Sequence, residues 1–422
     1  MNAALSPSAT AGAWQFRNLL LAPHRLGFFM AMLVLAGAAL WWAAVQLQRS
    51  GAGFQLPFGM SPSLVHAAVM TFGFFPLFFS GFLFTAGPKW LDVPPPSARA
   101  LAPALLAQLA GWLLWLAGSH LHVAIAATGL ALALLGLCLI TSRFWGLIAA
   151  SAAPDRVHAK AVCAALLVGC ASLAGVTIAT LAGADSSARQ FVHTGLWGFV
   201  VVVYLTVANR MIPFFTSSAT QMARRWGPEW VLWLMLSAAG FEVAATWVEP
   251  WLGGLAAWQI LRGVLELSAG AAVVALGIAW GLVQSLRIRL LAMLHLGLLW
   301  LGLALLLSGA SQLLGWFTQA PVLPLAALHA LTMGCLGSLM LAMVTRVSCG
   351  HSGRPLVADN LVWGLFWLLQ VATLLRIAGA VPGGSTQTLL TATALVWTLV
   401  MLTWAIRYGS WYGRPRADGR PG

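Results

Sequence analysis

Three histidines stand near the start of three long apolar stretches, and their type and spacing suit them to hold a metal cofactor. His66 lies in "VHAAVMTFGF", His193 in "FVHTGLWGFV" and His329 in "LHALTMGCLG". Imidazole is neutral near pH 7, is the common axial ligand of haem iron and binds copper well. The three residues are therefore candidate cofactor ligands. The alternative for each is a hydrogen bond to a carbonyl group across a helix interface.

The composition indicates that these histidines belong to a membrane protein. Hydrophobic residues make up 60% of the 422-residue chain and charged residues only 7%, whereas soluble domains carry about 25% charged residues. The mean hydropathy is +0.88. Basic residues lie in short loops between apolar runs of roughly 20 residues, a length that crosses a bilayer. The net charge of +13 therefore reflects membrane topology, and no nucleic-acid partner is expected.

The apolar runs predict an all-α fold with twelve transmembrane helices in a lipid bilayer. The runs lie near 27–47, 62–86, 101–119, 123–142, 159–182, 190–209, 230–249, 257–283, 290–313, 322–345, 360–380 and 386–406. With the N-terminus in the cytoplasm, eighteen of the 22 Lys and Arg residues fall on the inner side, Arg224 and Arg225 among them. Both termini are therefore predicted to be cytoplasmic, and no cleaved signal peptide is expected.

One transmembrane domain over 15–410 is predicted, followed by a short basic cytoplasmic tail at 411–422. No hydrophilic stretch is long enough to fold separately. The five cysteines form no CxxC or CxxCH motif, so disulfides and covalently attached c-type haem are not expected. Any haem would therefore be bound without a thioether bond, as haem b.

The domain contains a predicted threefold repeat of four-helix units, at about 20–146, 157–285 and 288–408. Arg210 follows His193 by seventeen residues, and Arg346 follows His329 by the same seventeen. At about 1.5 Å per residue these pairs span about 26 Å, so each histidine lies in the outer leaflet and each arginine at the inner interface. A threefold arrangement would bring three imidazoles to one depth.

His66 and His329 form the preferred pair for a haem b iron, because a bis-histidine haem needs two imidazoles that face each other from different helices. His193 remains a third candidate for a metal. Haem propionates would then point outward and need cations. Arg376, near the outer end of the eleventh span, and Arg189, one turn before His193, are the candidates. Each arginine has the alternative role of an interfacial anchor.

The eighth span contains an arginine and a glutamate at helical spacing. Arg262 and Glu266 are four residues apart, so they are predicted to neutralise each other on one helix face. Glu242, in the seventh span, has no such local partner. It is a candidate for a polar pathway in the outer half of the membrane, or for a carboxyl group that holds a proton.

The inner end carries the densest polar cluster, which consists of Arg210, Arg346, His351, Arg354 and His24. Part of it is the expected excess of positive charge on the cytoplasmic side. In "TRVSCGHSGRPL", however, glycines lie on both sides of His351 and a proline follows Arg354. This pattern predicts a rigid turn that holds an imidazole and a guanidinium against an anion or a quinone headgroup.

Three blocks of the chain resemble the NnrS family. The stretch "MGCLGSLMLAMVTRVSCGHSGRPL" is similar to the family signature, in which a histidine-bearing helix runs into a TRV segment and a GH(T/S)GR turn. "GFLFTAGPKW" resembles the GFLLTA-PNW block of the family, and "NRMIPFFT", from Asn209 to Thr216, resembles its GRVIPFFT block. The blocks follow the same order, and the resemblance covers nearly the whole chain.

The resemblance implies a haem- and copper-containing protein of the bacterial cytoplasmic membrane, linked to nitric oxide metabolism and nitrosative-stress resistance. The expected partner is nitric oxide, free or as an iron-nitrosyl species. The family also resembles the catalytic subunit of haem-copper oxidases, which has twelve helices in three arcs and haem ligands on its second and tenth helices. This likeness agrees with His66 and His329, and it puts His193 where a copper ligand would lie.

The chain departs from the family pattern at the copper ligands. Where family members read HxHEM, this chain reads "HAAVM", with Ala68 and Val69 in place of a histidine and a glutamate. The paired histidines of an oxidase-like seventh helix are also missing, so a full dinuclear centre is not expected. Two further functions stay open, a membrane transporter built on the threefold repeat and electron transfer from quinol to haem. The residues do not separate an enzyme from a nitric oxide sink or sensor.

Overall fold

The computed structural model is all-helical over the residues it describes, which are 13–220, 228–320, 322–323, 325–381 and 383–420. Twelve helices are long and apolar enough to cross a membrane, which confirms the predicted fold class. In chain order these spans are Pro23–Arg49, Pro62–Leu91, Ala98–Leu121, Val123–Ala150, Val157–Leu181, Asp185–Ala219, Glu229–Leu252, Ala256–Ala279, Arg289–Thr318, Ala326–His351, Asn360–Ala378 and Thr386–Tyr412. Two short helices, Phe16–Leu21 and Leu282–Ser285, lie outside them. Arg224, Arg225 and the last two residues of the tail are outside the described residues.

The spans pack against their neighbours in the chain, and the first span also contacts the twelfth. Lipid is as apolar as the side chains, so close packing of membrane helices depends on small residues at their interfaces. A Cβ atom on Gly111 of the third span would lie 2.5 Å from the carbonyl oxygen of Gly129 in the fourth. A Cβ atom on Gly270 of the eighth span would lie 2.8 Å from the carbonyl oxygen of Gly302 in the ninth. Glycine is therefore required where these two helix pairs touch.

Each of the three histidine-bearing spans is irregular shortly after its histidine. The second span divides into Pro62–Phe72 and Phe75–Leu91, the sixth contains a π-helical stretch at Leu196–Val201, and the tenth contains another at Ala330–Gly337. π-Helical turns inside α-helices occur frequently at functional sites. The irregular segments begin at Gly73, Leu196 and Ala330, each within two helical turns of its histidine. The threefold repeat stays a prediction.

Two spans extend further than the sequence predicts, towards the side that the basic residues predict to be cytoplasmic, here called the inner side. The sixth continues through Pro213, and the tenth continues to His351, so Arg346 and His351 lie on a helix. The predicted turn begins only at Ser352. Gly353 has φ +71°, the left-handed conformation that ends helices, and it blocks further extension.

The segment after the twelfth span folds back onto this turn. Trp411 and Tyr412 of the predicted tail still belong to the twelfth span, which ends at Tyr412. The backbone amide of Ala417 then donates to the carbonyl oxygen of Ser352 at 2.8 Å. Arg416 and Asp418 form an ion pair at 2.6 Å beside this contact. The described part of the tail is therefore held against the end of the tenth span.

Candidate functional site

The outer ends of the second and tenth spans bring two predicted ligands together. His66 and His329 are close enough to interact electrostatically, and Arg376 of the eleventh span is in range of both. The Nδ1 atom of His329 donates to the carbonyl oxygen of Leu325 at 2.8 Å. A carbonyl oxygen only accepts, so the proton is on Nδ1 and the lone pair is on Nε2. This is the tautomer in which histidine commonly binds a metal.

The ring of His66 is held by an aromatic neighbour. It is stacked on Trp42 of the first span, with ring centroids 4.0 Å apart and an interplanar angle of 17°. The Arg49 guanidinium also lies near Trp42, 5.4 Å from its ring centroid. The Nδ1 atom of His66 is buried and has no hydrogen-bond partner among the described residues. Buried polar atoms are normally satisfied, so this nitrogen is a candidate ligand atom.

Arg376 is half-buried beside the two imidazoles, and no described residue pairs with its guanidinium. A guanidinium near the end of a span is satisfied either by interfacial water or by an anionic group that comes to it. A carboxylate satisfies guanidinium well, because it can accept two parallel hydrogen bonds. The surroundings of His66 and His329 thus offer two imidazoles and, in Arg376, a guanidinium without a partner among the described residues, which are the kinds of group that could hold a haem and its propionates.

His193 faces a different set of charges. It lies in electrostatic range of Arg189 and Arg262. Arg189 donates to the hydroxyl oxygens of Ser61 at 3.0 Å and Ser63 at 2.9 Å, just before the second span. Arg189 therefore ties the outer end of the sixth span to that of the second. Because the Arg189 guanidinium already has these partners, Arg376 is the better candidate to meet a propionate.

Arg262 is the centre of an ion cluster larger than the predicted pair. Its guanidinium meets Glu266 at 2.7 Å, Glu249 at 2.7 Å and Glu242 at 3.4 Å. Glu242, which has no partner on its own helix, is thus paired across to the eighth span. The Oε2 atom of Glu266 is buried without a partner among the described residues. The cluster beside His193 thus places three carboxyl groups around one guanidinium.

The inner polar residues contain one close histidine pair. The ring centroids of His24 and His351 are 4.4 Å apart with an interplanar angle of 44°. Nδ1 of His24 lies 3.5 Å from the Thr85 hydroxyl. Lys89 is in electrostatic range of His351, and Arg25 is in range of both rings. The pair therefore lies in a positive field, which favours an anionic or polar neutral ligand over a free metal cation.

The three inner arginines of the predicted cluster each have a separate partner. Arg346 lies over the Phe215 ring at 3.8 Å and Arg354 over the Trp411 ring at 4.2 Å. Arg210 meets Asp155 at 3.7 Å. Burial lowers the pKa of the Arg354 guanidinium. Such cation–π contacts stabilise the fold without any ligand. Among the described residues of this cluster, only His24 and His351 contact each other.

Copper has no ready-made donor set in the part of the chain that the structure describes. No group of three His, Cys, Asp or Glu side chains there is arranged to hold a metal ion. Ala68 and Val69, at the positions of the family's second histidine and glutamate, are fully buried in the apolar core. The residues present therefore fit a haem at the outer end, and they do not fit a preformed copper centre.

Several of these contacts were not found from the sequence. Trp42 is one of 22 tryptophans, so nothing marks it as the neighbour of His66. Glu249 lies near the end of the seventh span and Arg262 near the start of the eighth, so the short connection between them was an available signal. The contact between His24 and His351 joins the first and tenth spans, and sequence spacing carries no information about it.

Comparison with known proteins gives one family. The family model described as NnrS protein matches residues 18–416, which is nearly the whole chain. No curated protein matches the chain.

Proposed function

Since the chain belongs to the NnrS family, we propose that it is a membrane haem protein that acts in nitric oxide metabolism or nitrosative-stress resistance. In this proposal His66 and His329 would hold the iron in the outer leaflet, and Arg376 would meet a propionate. The protein lies in the bacterial cytoplasmic membrane with both termini in the cytoplasm, as the distribution of basic residues favours. When bound, haem supplies an iron that can bind nitric oxide and exchange electrons.

The observation that carries this proposal is an unpaired guanidinium beside two imidazoles. Arg376 has no partner among the described residues, and it lies in electrostatic range of both His66 and His329. Two imidazoles alone are compatible with packing, and an arginine alone is compatible with an interfacial anchor. The combination is explained by a ligand that carries both a metal and a carboxylate.

The chain's own residues have defined parts in this site. The carbonyl oxygen of Leu325 fixes the tautomer of His329, so Nε2 is available. Trp42 restricts the rotation of the His66 ring through their stacking contact. The side chains of Ala68 and Val69 are apolar and buried, so they exclude water from one side of the second span. These features favour a rigid and poorly hydrated cofactor environment.

Electron transfer from quinol is a second candidate function, favoured by the inner histidine pair. His24 and His351 are in contact within a positive field at the inner ends of the first and tenth spans. An imidazole beside cations can hydrogen-bond the oxygen of a quinone headgroup. Reduction of the haem by a quinol analogue supports this function, and failure of reduction in haem-loaded protein contradicts it.

An absorption spectrum tests the proposed function. Detergent-purified protein is measured oxidised, reduced and after addition of nitric oxide, with iron and copper quantified on the same sample. A b-type spectrum that nitric oxide perturbs is the expected result. Colourless, metal-free protein contradicts the proposal and favours a transporter, in which the outer histidines carry protons or bind a metal ion. Consumption of nitric oxide by the coloured protein then distinguishes an enzyme from a sink.

A further inference from the structure

An apolar cavity of about 50 Å³ lies between the first, second, sixth, ninth and tenth spans. All three histidine-bearing spans contribute to its wall, with Phe79 from the second, Val207 from the sixth and Met343 from the tenth. Among the described residues that line it, Tyr204 alone has a polar side-chain group. The cavity is therefore a shared internal space of these spans.

A second apolar cavity, of about 10 Å³, lies beside the first, on the side nearer His329. The two cavities share Tyr204, Ala208 and Leu339 in their walls. The wall of the second also contains Leu331, which is only two residues after His329. Leu339, which lines both cavities, is ten residues after His329, a separation of about 15 Å along the tenth span.

The π-helical stretches form much of the wall of the second cavity. Val201 ends the stretch in the sixth span, and Leu331 and Cys335 belong to the stretch in the tenth. A π-helical turn bonds each residue to the fifth along rather than the fourth, which widens the helix and displaces side chains from regular packing. The helix irregularities after His193 and His329 therefore account for the space between the larger cavity and the histidines.

The size and polarity of the cavities restrict what can occupy them. A buried water needs two to four hydrogen-bond partners, and the larger cavity offers one hydroxyl group, so it favours an apolar guest. A cavity of about 150 Å³ is known to accept benzene. A space one third of that size accepts a molecule of two or three atoms and excludes a quinone ring.

Tyr204 provides a single polar contact for such a guest. Its hydroxyl group makes no hydrogen bond with the described residues, and its ring packs edge-on against Phe75 at 5.7 Å and Phe79 at 5.3 Å. The ring is therefore held in place while the hydroxyl remains available. A weakly polar diatomic molecule can use one such donor, whereas water would leave its other hydrogen bonds unmade.

We propose that the two cavities bind a small apolar gas and connect the inner half of the membrane with the region of His329. The identification of this gas as nitric oxide rests on the proposed function. The binding of an apolar gas by the cavity itself does not depend on a haem. The cavity thus raises the local concentration of the gas beside the spans that carry the candidate ligands.

Xenon is the probe for this proposal, because it is apolar, monatomic and detectable without haem. The purified full-length protein is studied by xenon-pressurised crystallography or xenon NMR, with Ala208→Phe to fill the shared wall of the two cavities. Ala271→Phe, on an exposed position of the eighth span, is the matched control. Xenon is expected between Tyr204 and Met343 in the wild type and in the control, and it is expected to be lost in Ala208→Phe.

Absence of xenon from the wild-type cavity overturns the proposal, and so does equal occupancy in Ala208→Phe. A tightly bound acyl chain or quinone tail in the same space also overturns it. Because xenon binding needs no cofactor, colourless protein that binds xenon contradicts the proposed function alone. Haem-loaded protein without bound xenon contradicts the cavity proposal alone. In haem-loaded protein, Ala208→Phe should also slow nitric oxide binding after flash photolysis, and an unchanged rate overturns the connection to His329.

Discussion

The tenth span presents a histidine at each end, and the two have different neighbours. At the outer end, His329 has its Nδ1 proton fixed by a carbonyl oxygen and shares its surroundings with His66 and the unpaired Arg376. At the inner end, His351 contacts the ring of His24 among cations. Two histidines on one helix can therefore bind different ligands, because their neighbouring side chains differ.

Geometry adds to this contrast. Two imidazoles on opposite sides of one iron have ring centroids roughly 6 Å apart, because each metal–nitrogen bond is about 2 Å long. The centroids of His24 and His351 are 4.4 Å apart, so these rings cannot hold an iron between them as they stand. The inner pair therefore suits a hydrogen-bonded headgroup or anion better than an iron held between the two rings.

Removal of the Arg262 guanidinium, at the centre of the outer ion cluster, should have the largest effect on stability. Arg262→Ala leaves Glu242, Glu249 and Glu266 without their common cation. Loss of one partner from a buried ion group costs about 3–5 kcal/mol. Thermal unfolding in detergent measures the change. Arg289→Ala, which removes an arginine bonded to Asn360 at the inner surface, is the control with a small expected effect. Equal stability of the two variants would contradict the importance of the cluster.

Removing the unpaired guanidinium of Arg376 should instead weaken haem binding. Arg376→Gln loses one charge-assisted hydrogen bond to a propionate, worth about 1.5–3 kcal/mol, so haem affinity should fall about tenfold or more. Stability without haem should change little, because no described residue pairs with Arg376. Haem titration of the apoprotein measures the affinity.

Arg189→Gln is the matched comparison, since Arg189 is bonded to Ser61 and Ser63. It should lower stability and leave haem affinity near the wild-type value. If Arg189→Gln weakens haem binding more than Arg376→Gln does, the assignment of the propionate partner is wrong.

Arg346, at the inner end, should contribute to stability alone. Arg346→Gln removes the cation–π contact with Phe215 and should lower the free energy of unfolding by about 0.5–2 kcal/mol. Haem content should be unchanged, because Arg346 is at the other end of the span from His329. Parallel measurement of thermal unfolding and the absorption spectrum checks both statements. Loss of haem in this variant would mean that the inner end takes part in the cofactor site.

The smallest effect is expected at the tail that packs against the inner end. Asp418→Asn breaks the pairing with Arg416, and exchange of the Ala417 amide hydrogen with solvent should become faster. Hydrogen exchange read by mass spectrometry on the C-terminal peptide measures this. The control is Asp185→Asn, at the outer start of the sixth span, which should leave the C-terminal peptide unchanged.

The pH dependence of this contact follows from the same pair. The hydrogen bond from Arg416 holds the pKa of Asp418 well below its usual range. A carboxyl group with a lowered pKa stabilises the contact above its unfolded value of about 3.9, and the contribution is lost as the pH falls below that value. Protection of the Ala417 amide, corrected for intrinsic exchange, should therefore be constant between about pH 6 and pH 9. A decrease within that range would contradict the assignment.

The sequence predicts the fold class well, because the bilayer sets both the length of the apolar runs and the placement of basic residues in the loops. It predicts the neighbourhood of His66 and His329 through the repeat. It does not predict the extension of the sixth span through Pro213, because a membrane helix can continue past proline when its freed carbonyl groups find other partners. The π-helical stretches after His193 and His329 also escape prediction, since they depend on packing against other spans.

The candidate site was predicted in its residue types and only partly in its contacts. Arg376 was one of two possible cations, and only the bonds of Arg189 to the serines distinguish them. The inner cluster was predicted as one site, whereas its arginines lie against separate partners. Charge counts along the sequence cannot show which arginines are already paired. That information resides in contacts between distant spans.

Haem content of two single variants tests the central claim most directly. His329→Ala and His351→Ala remove the same side chain from the two ends of one span, so each controls for the other. Iron and the absorption spectrum are measured on equal amounts of detergent-purified protein. We expect His329→Ala to lose the haem absorption and His351→Ala to retain it. Retention in His329→Ala together with loss in His351→Ala would contradict the outer-leaflet site and assign the haem to the inner end.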